Sequence, residues 1–137
     1  MKKILVPIDG SQNSLEALKC AIDMADKYGS QIILVNAQKP ATFERSIPVD
    51  ENPDILKEHA KEVIDKGMEV LKDSSVNVKT EAVVGDPAEQ ILYLVDREDA
   101  DLIVMGSHGA SGMRRFLIGS VSNKVLQHSP KPVMIIK

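Results

Sequence analysis

The chain has 137 residues but one cysteine, no tryptophan, two tyrosines and two phenylalanines. A lone Cys20 excludes an intramolecular disulfide and a cysteine-based zinc cage. It stands among Leu18, Ala21 and Ile22, the setting of a packed helical thiol rather than a redox nucleophile. Scarce aromatics leave few platforms for stacking bases of single-stranded nucleic acid. A net charge of −3 gives no general attraction to nucleic acid or anionic membranes. No apolar run approaches the roughly 18 residues of a membrane span, and the stretch at residues 4–8 is too short for a signal peptide. A Walker loop is missing, since no Gly-Lys-Ser or Gly-Lys-Thr occurs. So is the dinucleotide fingerprint, because only Gly10 follows the first apolar run. The expectation is one cytoplasmic domain over residues 1–137, without membrane or nucleic-acid partners.

What is present is 43% hydrophobic and 27% charged residues, the balance of a folded domain. Two periodicities alternate along it. Short runs rich in Ile, Val and Leu predict strands at 3–8, 31–37, 76–84, 101–105 and 132–136, most of them buried on both faces. Between them, helical spacing places Leu15, Leu18, Ile22 and Ala25 on one stripe. Leu56, Ala60, Val63, Ile64, Gly67 and Leu71 form a second, Ile91, Leu92 and Val95 a third, and Val121, Val125 and Leu126 a fourth. Ser11 and Asp86 are predicted N-caps, Pro87 a first helical residue and Gly29 a helix stop, with Asp54 opening the second helix. Gly67 costs about 1 kcal/mol in a helix interior and marks either close packing or a bend. Residues 38–53, with three prolines and no period, are expected to form a loop over one mouth of the domain.

Strands separated by single helices are most simply parallel with right-handed crossovers, which gives an α/β fold with a doubly wound, open, five-stranded parallel sheet and helices on both faces. Ligands of such sheets bind beyond the carboxyl ends of the strands, where strand order reverses. The turn at residues 7–11 and the loop from Gly106 onward are therefore predicted to face one crevice.

That loop carries Gly106, Gly109, Gly119 and Ser120 in the spacing Gly-x2-Gly-x9-Gly-Ser. Glycines directly after a buried strand let the backbone turn and approach a ligand without a Cβ in the way. Gly119 and Ser120 at a helix start expose N–H groups and the positive end of the helix dipole, which suits a phosphate. Ser120 and Ser122 add hydroxyls, and Arg114 and Arg115 add charge.

The spacing is similar to the nucleotide-binding signature of the universal stress proteins. The opening Ile4-Leu5-Val6-Pro7-Ile8-Asp9-Gly10-Ser11 matches that family as well, as do Gly85-Asp86-Pro87, the run from Asp101 to Gly109 and the closing run from Pro130 to Ile136. The resemblance covers the chain apart from residues 38–53. It implies a Rossmann-like, adenine nucleotide alpha hydrolase-like domain that binds ATP, forms a homodimer and serves stress adaptation. It implies that Pro7 and Asp9 line the adenosine pocket, Asp9 accepting from adenine or ribose, with Met105 near the nucleoside and Gly106 and Gly109 admitting ATP closely. Gly119, Ser120, Val121 and Ser122 would hold the phosphates, with Ala37 as a further contact; Arg115 is a candidate contact from its charge and loop position alone. Mg²⁺ would be held by the phosphates and water rather than by side chains.

Plainer readings stand beside these. Asp9-Gly10-Ser11 also fits a simple capped turn. His108 either reaches a phosphate or hydrogen-bonds the loop. The strand ending at Val84 offers no phospho-acceptor aspartate, which sets a receiver domain aside. The run of Glu58, Lys61, Glu62, Asp65, Lys66 and Glu69 reads as a solvated helix face. With no P-loop lysine, at most slow ATP hydrolysis or phosphoryl transfer is expected, and the leading function is a nucleotide-dependent switch. The alternative is a nucleotide-free dimeric interaction protein on the same scaffold. The apolar strand at 132–136 is expected to lie at a sheet edge and to pair with its copy in a second subunit.

Overall fold

Strand residues alternate between two faces, and here both faces are covered. The computed structural model describes residues 1–40, 52–108 and 118–137. The elements run β1 (Lys3–Pro7), α1 (Gln12–Tyr28), β2 (Gln31–Gln38), α2 (Pro53–Leu71), β3 (Val78–Val84), α3 (Pro87–Glu98), β4 (Leu102–Gly106), α4 (Ser120–His128) and β5 (Val133–Ile136). They form one sheet of order β3-β2-β1-β4-β5, parallel throughout. The order reverses between β1 and β4, where the sequence pattern puts the crevice. In register, Leu5 of β1 lies between Ile33 of β2 and Ile103 of β4.

One face of the sheet presents Ile4, Val6, Ile8, Leu34 and Val104 to Leu18 and Ala21 of α1 and Ile64 and Leu71 of α2. The other presents Leu5, Ile33, Val35, Ile103 and Met105 to Ile91, Leu94 and Val95 of α3 and Val125 of α4. This period-2 division is why the strands read as continuous apolar runs. Three helix starts carry side-chain caps: Ser11 accepts from the Ser14 amide, Asn52 from Asp54 and Asp86 from Glu89. Gly29 ends α1 in the left-handed region at φ 66°.

Several helix stripes are rotated from the sequence reading. In α3 the buried residues are Ala88, Ile91, Leu94, Val95 and Glu98, so Leu94 takes the place expected of Leu92. Leu92 lies about 100° round the axis from Ile91 and is only half-buried. Leu126 of α4, expected in the core beside Val125, is 43% exposed. In α1, Ser14 and Ala17 are buried and Leu15 only half-buried. Asp54 does not open α2; Asn52 caps it and Pro53 begins it. β3 starts at Val78, two residues later than the alternation predicts. Gly67 is settled as close packing: a Cβ there would lie 2.7 Å from Ile8 Cδ1 and 2.9 Å from Leu34 Cδ2. The expected cover of residues 38–53 lies largely outside the described residues.

The buried Glu98 is the one acid in these helix stripes, and it accepts from Lys79 Nζ at 2.6 Å and Arg97 Nη2 at 2.8 Å. Arg97 also bonds Glu81, so the network straps α3 to β3. The Lys79 bond, then the Arg97 bond, lowers the Glu98 carboxyl from its ordinary 4.5 to about 2. A folded pKa below the unfolded one gives stability that is complete above about 4.5 and lost as pH falls toward 2. Glu98→Gln should therefore cost about 1 to 2 kcal/mol at pH 7. It should also flatten the acid limb of the stability curve. Urea titrations at neutral and acid pH check this: an equal acid loss in both proteins would contradict it.

Candidate functional site

A cleft of about 270 Å³ opens over the carboxyl ends of β1, β2 and β4, with α3 and α4 on its far side. Its wall is mostly apolar, from Ile8, Val35, Ala37, Ile91, Met105 and Val121. Polar groups enter from three directions: the turn after β1, the buried Asn36, and His108 together with the start of α4.

The turn after β1 is built by local hydrogen bonds. Asp9 Oδ1 accepts from the Ser11 amide at 2.9 Å, Gly10 takes φ 84°, and Ser14 Oγ donates to the Ser11 carbonyl at 2.9 Å. Asp9 is thus held in a capped turn, as the plainer reading has it, and also lines the cleft.

Asn36 is buried. Its Nδ2 donates to the Ile8 carbonyl at 2.7 Å and its Oδ1 accepts from Gln38 Nε2 at 2.8 Å. It prolongs the β1–β2 pairing beyond the ladder, where the Ile8 amide already donates to Val35 O, and it fixes that wall of the cleft.

At the fourth helix the capping pattern changes. Gly119 occupies the N-cap at φ −60°, ψ 158°, with no side-chain cap. Its amide donates to the Ser107 carbonyl at 2.6 Å, which pins the helix start to the strand end. The first-turn amides of Ser120, Val121 and Ser122 have no intrahelical acceptor, as in any helix, and among the described residues no capping side chain serves them. They mark the positive end of the α4 dipole beside an apolar cleft, which suits an anion. At the rim, Asp86 holds Lys39 Nζ at 3.8 Å and Lys124 Nζ at 3.6 Å.

The structure brings together Pro7, Asp9, Ala37, Met105, Gly106, Gly119, Ser120, Val121 and Ser122 around this cleft. Gly109, Arg114 and Arg115 lie outside the described residues. Two roles differ from expectation. Ser122 is buried and its Oγ donates to the Gly106 carbonyl at 2.7 Å, so its proton ties α4 to β4 instead of pointing at a ligand. Gly106 lines the cleft, yet a Cβ on it would strike the Asn13 side chain, with Asn13 Cγ only 2.9 Å away. Glycine there admits α1. His108 lines the cleft with Nδ1 3.0 Å from Ser107 Oγ. Sequence reasoning missed Ile8, Ser14, Val35, Asn36, Pro87 and Ile91 as lining residues. Only Asn36 had a usable signal: an amide inside an otherwise apolar strand. Among the described residues no group of three or more His, Cys, Asp or Glu is placed to hold a metal ion, and no helix is long and apolar enough to cross a membrane.

An open parallel sheet with a crevice at its switch point and an uncapped helix start inside it defines a doubly wound α/β protein with an anion-suited site. Residues 1–137 match the model of the universal stress protein family, and the chain belongs to that family. It is 34% identical over 140 residues to universal stress protein MJ0531 of Methanocaldococcus jannaschii, across 99% of this chain and 82% of that one. The solved structure of protein MJ0577 from the same organism superposes with TM-score 0.84 at 33% identity, over 99% of this chain and 95% of the other. A universal stress protein crystallised in complex with cAMP gives TM-score 0.77 at 25% identity, over 99% and 97%.

Proposed function

We propose that the cleft binds ATP and that the chain acts as a cytoplasmic, nucleotide-dependent regulatory module in stress adaptation. The observation that carries this reading is the α4 start: a glycine cap without a side chain, opening on a mostly apolar cleft. The apolar wall suits a purine and ribose, with Asp9 placed to accept from either. The amides of Ser120 and Val121, with the Ser120 hydroxyl, suit phosphates. The residues present therefore fit the nucleotide, and the cAMP complex of a relative supports an adenine ligand. Mg²⁺, when bound with ATP, would neutralise phosphate charge and keep mostly water and phosphate ligands. In calorimetry ATP should bind about tenfold or more tighter than AMP, since phosphate contacts separate the two. No binding of ATP would refute the reading. ATP should be recovered intact after long incubation with Mg²⁺, as a switch requires and an ATPase would not allow.

The chain also pairs with a second copy through β5 in this reading. Among the described residues both outer strands have an open side, but β3 carries Lys79 and Glu81, tied to Arg97 and Glu98, whereas β5 reads Val-Met-Ile-Ile. Charges blunt one edge and leave the other apolar. Sedimentation at micromolar concentration should give a dimer; a monomer would end this part of the proposal.

A further inference from the structure

The side-chain amide of Asn13 joins the end of β5 to the segment after β4. Asn13 stands in the first turn of α1 and does not line the cleft. Its Nδ2 donates to the carbonyl of Ile136, the last residue of β5, at 3.1 Å. Its Oδ1 accepts from the backbone amide of His108, which does line the cleft, at 3.2 Å. The same Ile136 carbonyl accepts from the Ser107 amide at 2.9 Å, and the Ser107 carbonyl accepts from Gly119 at 2.6 Å. The end of the edge strand, the segment after β4 and the N-cap of α4 thus form one hydrogen-bonded chain, in which the Asn13 side chain bonds both Ile136 and His108.

The packing leaves this link little slack. Gly106 lacks the Cβ that would collide with Asn13, so α1 sits hard against the tip of β4. β5 is four residues long and has β4 as its one neighbour. A short edge strand of this kind lies at the low-stability end of a sheet, where a few hydrogen bonds decide how often it opens.

We propose that Asn13 is a positioning residue that couples the cleft to β5, so that an occupant held at Gly119 and His108 orders the edge strand through the Asn13 amide. No residue of β5 lines the cleft, so a ligand effect there must pass through intervening groups. Linkage then requires that whatever orders β5 also tightens the ligand.

The liganded half of the test rests on the nucleotide reading above, and the free half does not. With ATP and Mg²⁺ as the probe, hydrogen exchange of the β5 amides in the wild type should slow roughly fivefold or more, the low end of ordinary site-to-site coupling. Asn13→Asp keeps an oxygen for the His108 amide and loses the N–H that reaches Ile136. It should still bind ATP within about threefold while the β5 slowing disappears, a split that a general loss of structure would not produce. Asn13→Ala serves as the second variant if the carboxylate harms folding. ATP binding by the wild type without β5 slowing, or slowing that persists in both variants, overturns the proposal. If calorimetry finds no ATP binding, the nucleotide reading fails by itself and the ligand-free proteins decide. There the Ser107, His108 and Gly119 amides should exchange faster together in the variants, with core amides such as Leu34 unchanged; wild-type rates at those three positions overturn the coupling.

Discussion

Gly119→Val is expected to reduce ATP affinity at least a hundredfold, about 2.7 kcal/mol, while the fold persists. The backbone at Gly119 is ordinary extended chain at φ −60°, ψ 158°, so a branched residue meets no backbone strain there. What the glycine contributes is the absence of a side chain. It is buried, it lines the cleft, and its amide is already committed to Ser107. A valine side chain would stand in front of the first-turn amides that the phosphates need. Charge-assisted bonds to such amides are worth about 1.5 to 3 kcal/mol each, so blocking even two removes most of the phosphate contribution. Calorimetry with ATP, paired with circular dichroism to confirm folding, reads the outcome. Wild-type affinity in a folded variant would mean that the phosphates lie elsewhere.

The largest stability effect is expected at Gly67. A helix normally gains about 1 kcal/mol when glycine becomes alanine. Here the added Cβ would sit 2.7 Å from Ile8 Cδ1, 2.9 Å from Leu34 Cδ2 and 3.4 Å from Leu18 Cδ2, all in the core between α2 and the sheet. Overpacking of this kind costs about 1 to 3 kcal/mol. Gly67→Val adds two more methyls and a β-branched side chain, so a loss of about 3 kcal/mol in urea unfolding is expected. Gly67→Ala should fall near zero, with helix propensity and crowding offsetting each other. Because Ile8 also lines the cleft, the valine variant should weaken ATP binding as well. A valine variant as stable as the wild type would show that α2 lifts off the sheet at no cost.

The sequence makes the parallel order of elements legible because each strand is a short apolar run and each helix has its own punctuation, such as Ser11, Gly29 and Asp86-Pro87. What it conceals is helical phase. Leu92 and Leu126 each sit beside a buried neighbour, and a one-residue shift turns a side chain by about 100°, from core to solvent. The crevice is legible because two glycine-bearing turns follow β1 and β4, which flank the reversal. The roles within it are less so. A serine in a glycine-rich loop reads the same whether its proton faces a ligand or, as in Ser122, a carbonyl. A glycine reads the same whether it makes room for a ligand or, as at Gly106, for a helix. Asn36 is the legible exception among the missed lining residues, an amide set in the apolar run Ile-Ile-Leu-Val of β2, whereas Ile8, Val35 and Ile91 look like any other core residue.

The unequal edges of the sheet bear on how far assembly can go. A sheet with two apolar edges could add copies head to tail without limit, as fibres do. Here the Lys79–Glu81 pair puts charge on β3, whereas β5 reads Val-Met-Ile-Ile, so under the proposed pairing β5 would accept a partner and β3 would resist one. Two copies joined through β5, as proposed above, would turn both charged edges outward, and growth would stop after one step. The result would be a closed, two-fold symmetric particle in which the five-stranded sheets of the two copies run on as one.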